Sequence, residues 1–181
     1  MAQQYPQLTD RLQRFIEAQH VFFVGTAARD GRVNVSPKGL DTLRILAPDR
    51  IVWLNLTGSG NETAAHVLDS GRMTLMFCSF DTKPLIVRVY GAAKAWHETD
   101  DEWGELARLF PDLPGQRNIF DVSVELVQTS CGFGVPLMEL VEERDTMTVG
   151  LERRGPDGVR DYQQANNRMS IDGFPTGLPL M

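Results

Sequence analysis

The stretch "NIFDVSVELVQTS", Asn118 to Ser130, limits most sharply what this chain can fold into. Phe120, Val122, Val124 and Leu126 fall on one side of an extended backbone, and Asp121, Ser123 and Glu125 on the other. A period of two over this length predicts a long strand with one apolar face turned to a core. A lone strand cannot bury that face, so partners must come from elsewhere in the chain.

The sequence supplies them. In "VFFVGTAARDGRVNVSPKG", Val21 to Ala27 is β-rich, Asp30-Gly31 is a turn signal, and Val33 and Val35 resume the alternation. "LDTLRILAPDRIVWLNL" repeats the pattern: Leu43 and Ile45, a turn at Pro48-Asp49, then Ile51 to Leu56. "RMTLMFCSF" and "PLIVRVYGAAKAWH" predict two further strands, the second long enough to bend at Gly91. Helical spacing is confined to "LTDRLQRFIEAQH" (capped by Thr9 or Asp10), "ETAAHVLDSG", "DDEWGELARLF" and the region after Leu137. The end of the chain, "NNRMSIDGFPTGLPLM", carries Gly173, Pro175, Gly177 and Pro179 and predicts an irregular tail. Short antiparallel strands with few helices predict a closed or nearly closed barrel, not the strand–helix alternation of a doubly wound sheet. The expected organisation is a barrel with its N-terminal helix over residues 1–134, and a helical segment with the tail over residues 135–181 of the same domain.

Charge and motifs narrow the function. Lys and Arg number 18 against 24 Asp and Glu, and no basic stripe stands out, so nucleic acid is not an expected partner. The N-terminus has no basic segment followed by an apolar one, and the apolar runs are too short for a membrane helix, so a cytoplasmic location is expected. Cys78 and Cys131 lie far apart with no C-x-x-C partner, which suits a reducing compartment. His20, His66 and His97 are too dispersed for a metal-binding pair, so no metal site is expected. There is no nucleophile elbow, P-loop or G-x-G-x-x-G.

Two motifs could hold an anion. In "TGSGNET", Ser59 and Glu62 match a capping box, in which each side chain would satisfy the other's amide. The amides of Gly60 and Asn61 would be left over at a positive helix end, and Gly58 and Gly60 would let a phosphate approach the backbone. The turn can therefore be a capped corner, a phosphate cradle, or both. In "NVSPKG", Ser36 and Lys38 end a predicted strand; they are a solvated strand end unless they lie beside that turn, where they would add a hydroxyl and a cation. Arg88, inside "LIVRVYG", is either exposed, ion-paired, or aimed at an anion or subunit interface. Cys131 has no nearby base to make it a nucleophile, though Gly132 and Gly134 could bring backbone to a pocket. No residue stands out as a catalytic acid or base.

The combination "NVSPKGLDT", "LTGSGNETAAH", "TLMFC" and "QTSCGFGVP" resembles the pyridoxamine 5'-phosphate oxidase-like flavoproteins over about Phe15 to Cys131. The resemblance implies a mainly β fold: a six- to seven-stranded antiparallel split barrel with peripheral helices. It also implies a cytoplasmic homodimer, with FMN in clefts between the subunits and its phosphate held by the end of the second strand and the strand-to-helix turn. By position, Lys38, Thr57 and Asn61 match the family's residues at the phosphate; with Ser36, Gly58, Ser59 and Gly60 of the two motifs they are the candidate cofactor-binding residues, and Arg88, Cys131 and Gly132 are candidates for a supporting or partner-facing role. The oxidases carry Arg-Lys at the start of the following helix, where this chain has Glu62 and Thr63. Their C-terminal segment holds Arg and His, whereas this tail has Arg168 and no histidine, so pyridoxamine phosphate is not the expected substrate. The implied activity is FMN-dependent, NAD(P)H-driven reduction of flavin or another small acceptor, or oxidation of a small molecule. The alternative is a non-catalytic sensor on the same barrel, binding flavin, haem or another anion.

Overall fold

The computed structural model describes residues 2–180. The elements run β1 (Gln3–Tyr5), α1 (Asp10–Glu17), β2 (Phe22–Thr26), β3 (Asn34–Lys38), β4 (Leu43–Ala47) and β5 (Arg50–Leu56), followed by α2 (Glu62–Ser70). Then come β6 (Arg72–Cys78), β7 (Ile86–Trp96), α3 (Trp103–Ala107), β8 (Gln116–Ser130) and α4 (Thr146–Asn166). The strands form one eight-stranded sheet in the order β3-β2-β6-β7-β8-β5-β4, with β1 added beside β8. All pairings are antiparallel, and β3 and β4 are left as edges, so the barrel is split, not closed. β1 lies ahead of the first predicted helix and had no sequence signal; three residues are too few for periodicity to show.

The sheet wraps a core of Phe22, Val24, Ile51, Trp53, Leu75, Phe77, Val87, Val89, Phe120 and Val122, plugged at one end by Leu12 and Ile16 of α1. Trp53 stacks on Phe120 with ring centroids 4.6 Å apart and meets Phe22 edge-on at 6.1 Å. Thr9 caps α1, its hydroxyl accepting from the Leu12 amide.

The alternation in β8 changes phase partway. Phe120, Val122 and Val124 are buried as expected, but from there the buried residues are Val127 and Thr129, with Leu126 only half-buried. Tyr90 pairs with Leu126 and Gly91 with Val124, so Glu125 is the extra residue of a bulge. Gly91 permits it: a Cβ there would stand 2.1 Å from the Ser123 carbonyl oxygen. The bend expected at Gly91 is therefore a close backbone approach.

β3 differs more instructively. Phe22 pairs with Lys38, Val24 with Ser36 and Thr26 with Asn34, and side chains directly opposite across an antiparallel pair share a face. The polar residues of β3 therefore share the inward face of Phe22, Val24 and Thr26, and Val33 and Val35 are 72% and 66% exposed. The apolar positions of this strand point outward.

One further expectation is corrected at the chain's end. Residues 137–145 contain no helix; α4 starts at Thr146 and is broken at Gly155 (φ 70°, ψ 167°), with Pro156 opening its second piece. The tail is irregular but packed, with Asn167, Ser170, Thr176 and Leu178 buried. No helix among the described residues is long and apolar enough to cross a membrane.

Candidate functional site

The end of β3, the turn after β5 and the start of β8 converge on a cavity of about 260 Å³. Asn34, Ser36, Lys38, Gly58, Ser59, Gly60 and Asn61 line it, so the two anion-binding motifs are brought together. Asn55, Leu56, Glu62, Thr63, Arg117 and Met147 complete the wall.

The capping box does not form. Asn61, not Ser59, precedes α2 and makes no side-chain cap bond, while the Glu62 carboxylate turns to the tail and accepts the Ile171 amide at 2.8 Å. Pairing with a residue 109 positions away replaces the local contact. The amides of Gly60 and Asn61 donate to no protein acceptor among the described residues, as expected of a free helix start.

Arg117 is the residue the sequence did not single out. Asn55 pairs with Asn118 and Leu56 with Gln116, which leaves Arg117 as the extra residue of a second bulge. Bulges re-aim side chains, and this one sends the guanidinium inward, 6% exposed. Its Nη1 donates to the Gly60 carbonyl at 2.9 Å and to Asn167 Oδ1 at 2.6 Å. Burial pushes its pKa down to about 10, against the raising effects of Glu62 and Tyr162, so it stays charged at neutral pH. No motif in the sequence marked it.

Lys38 shares this environment. Its ammonium lies 5.5 Å from the Trp53 ring centroid, and burial, then the Arg117 charge, lower its pKa to about 8. A half-buried ammonium and a buried guanidinium line one cavity, with only Glu62 as carboxylate in its wall. The Ser36 Oγ, Asn61 Oδ1 and Arg117 Nε atoms are buried without a hydrogen-bond partner. Buried polar groups are ordinarily paired, so these orphans mark a place where an anion with hydroxyl groups would be satisfied.

Other candidates lie elsewhere. Thr57 is held structurally: its hydroxyl donates to the Gly115 carbonyl at 2.8 Å and accepts from Gln163 Nε2 at 2.7 Å. Arg88 donates to Ser130 Oγ at 2.8 Å, at the opposite end of β8 from Arg117. Cys131 is exposed and Cys78 buried, both free; burial raises the Cys78 pKa. Gly132, at φ 70°, packs against Leu85, where a Cβ would stand 2.9 Å from the Leu85 nitrogen. His66 is buried beside Thr26, its Nδ1 3.1 Å from the hydroxyl. His97 is buried near Asp100, and burial lowers its pKa. His20 is exposed near Glu143.

Beside the polar cavity lies a larger, mainly apolar cleft of about 790 Å³, walled by Val21, Pro37, Leu40 and Leu140 and also by His20, Glu142, Glu143 and Arg144. Lys38 and Met147 line both spaces. A polar cradle thus adjoins a room with mainly apolar walls.

Residues 8–131 match the family model described as pyridoxamine 5'-phosphate oxidase. The chain belongs to the pyridoxamine 5'-phosphate oxidase family. A relative in Aspergillus flavus, the pyridoxamine 5'-phosphate oxidase family protein ustO, is 35% identical over 189 aligned residues, covering 94% of this chain and 76% of the relative. Among solved structures, HupZ of Group A Streptococcus superposes with a TM-score of 0.53 at 19% identity, covering 66% of this chain and 91% of that one. A protein of Mycobacterium smegmatis described as FAD-binding superposes with a TM-score of 0.51 at 12% identity, covering 68% and 96%. These structures support the split-barrel fold; their low identities carry no residue roles.

Proposed function

We propose that the chain is an FMN-binding oxidoreductase, acting as a homodimer, that uses NAD(P)H to reduce flavin or another small acceptor. The observation that carries this reading is the cradle: Ser36 Oγ and Arg117 Nε buried without partners, beside Lys38 and the unpaired amides of Gly60 and Asn61. Hydroxyl, ammonium, guanidinium and amide donors together suit a phosphate dianion. Asn61 Oδ1, an acceptor, suits a hydroxyl of the ribityl chain. The adjoining, mainly apolar cleft suits the ring system. The FAD-binding description of the Mycobacterium smegmatis relative agrees with a flavin on this fold.

Glu62 and Thr63, where the oxidases have Arg-Lys, do not remove the positive field. One oxygen of Glu62 is held by the tail, and Arg117 supplies a cation from a different strand. A bound isoalloxazine would supply the redox chemistry; the residues described here bind and orient it. Val33, just before β3, and Val35 within it, with the exposed Phe133, Leu137, Leu140 and Val141, offer apolar surface to a second copy. Arg168 is exposed, so the tail presents no buried cation for a second phosphate.

The test is the visible spectrum of the natively purified protein, with chromatography of any released chromophore. The reading predicts flavin bands, release of FMN, and bleaching by NADH or NADPH without air. A colourless protein that FMN neither colours nor stabilises would overturn it, and a Soret band would support a haem protein instead.

A further inference from the structure

The C-terminal tail reaches the cradle through one side chain. Asn167 is fully buried just past the end of α4, and each of its polar groups is engaged. Its Oδ1 accepts from Arg117 Nη1 at 2.6 Å and its Nδ2 donates to the Gly58 carbonyl at 3.1 Å. Its main-chain carbonyl accepts from Asn61 Nδ2 at 3.3 Å and from Thr176 Oγ1 at 2.7 Å, and its amide donates to Gln163 at 2.8 Å. Gly58, Asn61 and Arg117 all line the cavity, so one residue outside its wall fixes three members of it. A few residues on, the Ile171 amide holds the Glu62 carboxylate, and Asp172 pairs with Arg32.

A helix cap alone would need only the amide of Asn167. The side-chain bonds do something else. Without Oδ1, Arg117 Nη1 would keep only the Gly60 carbonyl; without the Ile171 amide, Glu62 would be free to turn to Arg117 and neutralise the cation an anion needs. We propose that Asn167 is the positioning residue of the anion site, and that residues 167–176 form a clasp that aims Arg117 at the phosphate and pins one oxygen of Glu62 on the Ile171 amide. This rests on the flavin reading above and adds to it how the site is assembled: the end of the chain is part of the cofactor site.

The experiment is FMN titration by flavin fluorescence on wild-type protein, Asn167→Ala, Arg117→Ala and the double variant, with thermal melting of each. Asn167→Ala is expected to raise the FMN Kd by about tenfold or more, the scale of a hydrogen bond to a charged group. In the Arg117→Ala background the same change should cost clearly less, because only its hold on Gly58 is then left to lose. Asn167→Asp guards against simple unfolding: it keeps an acceptor for Arg117 but sets a carboxylate against it, so it should fold and bind FMN worse than Asn167→Ala. Hydrogen exchange of the 167–176 segment should slow when FMN binds wild-type protein. Wild-type protein that binds FMN alongside variants that bind it equally, or losses at Asn167 and Arg117 that add in full, would overturn this inference alone. Wild-type protein that binds no FMN would overturn the flavin reading, and this inference with it.

Discussion

Replacing Lys38 by methionine should make the ligand-free protein more stable and a poorer flavin binder. Methionine keeps a similar unbranched stem in the wall between Trp53 and the cavity and removes only the ammonium. A lysine pKa lowered from 10.5 to about 8 corresponds to roughly 3 kcal/mol against the charged form. That penalty applies in full at pH 7, below the folded pKa, where the ammonium is still charged. Cation–π attraction to Trp53 returns about 1 kcal/mol, so the change should stabilise the ligand-free fold by about 2 kcal/mol. For a chain of this length, that is a rise in Tm of roughly 4–8 °C. FMN affinity should fall by about 1.5–3 kcal/mol, the value of a charge-assisted bond to phosphate. Calorimetry of ligand-free protein and FMN titration read the two effects separately. A lower Tm with unchanged affinity would show that Lys38 is a structural residue, and would refute the reasoning.

Three further outcomes follow from the same geometry. Wild-type FMN affinity should decline above pH 8 as Lys38 loses its proton, while ligand-free stability rises between about pH 8 and 10.5, because there the unfolded chain holds a proton the folded one has released; titrations and melts across that range should show both trends vanish in Lys38→Met. Ser36→Ala should weaken FMN binding by about 1 kcal/mol yet leave the ligand-free Tm unchanged or slightly higher, since its hydroxyl is buried without a partner. Gly91→Ala should destabilise the fold by about 3 kcal/mol or more in denaturant melts, because a Cβ 2.1 Å from the Ser123 carbonyl oxygen forces the bulge apart.

The strands were legible because a two-residue period leaves little else to form, and the two motifs were legible because hydroxyl, lysine and glycine at element ends have few other uses. What stayed hidden was long-range. Val33 and Val35 showed the alternation but not which face it buries; pairing with β2 sets that, and turns Ser36 and Lys38 inward. Ser59 and Glu62 matched a local cap, but the Ile171 amide, brought in by the tail, takes the carboxylate. Arg117 gave no local sign because a bulge, not a motif, aims it. The tail looked unstructured by composition, yet Asn167 is among its most buried residues, held by hydrogen bonds that no periodicity encodes.

The central claim is that Ser36, Lys38, Arg117 and the Gly60–Asn61 turn hold a flavin's phosphate. Side-by-side titration calorimetry with FMN and riboflavin, which differ only in that phosphate, tests it most directly. The account predicts that riboflavin binds at least about a hundredfold more weakly, from the loss of two charge-assisted contacts, and that Lys38→Met removes about half of that difference in free energy. Equal affinities for FMN and riboflavin would contradict it.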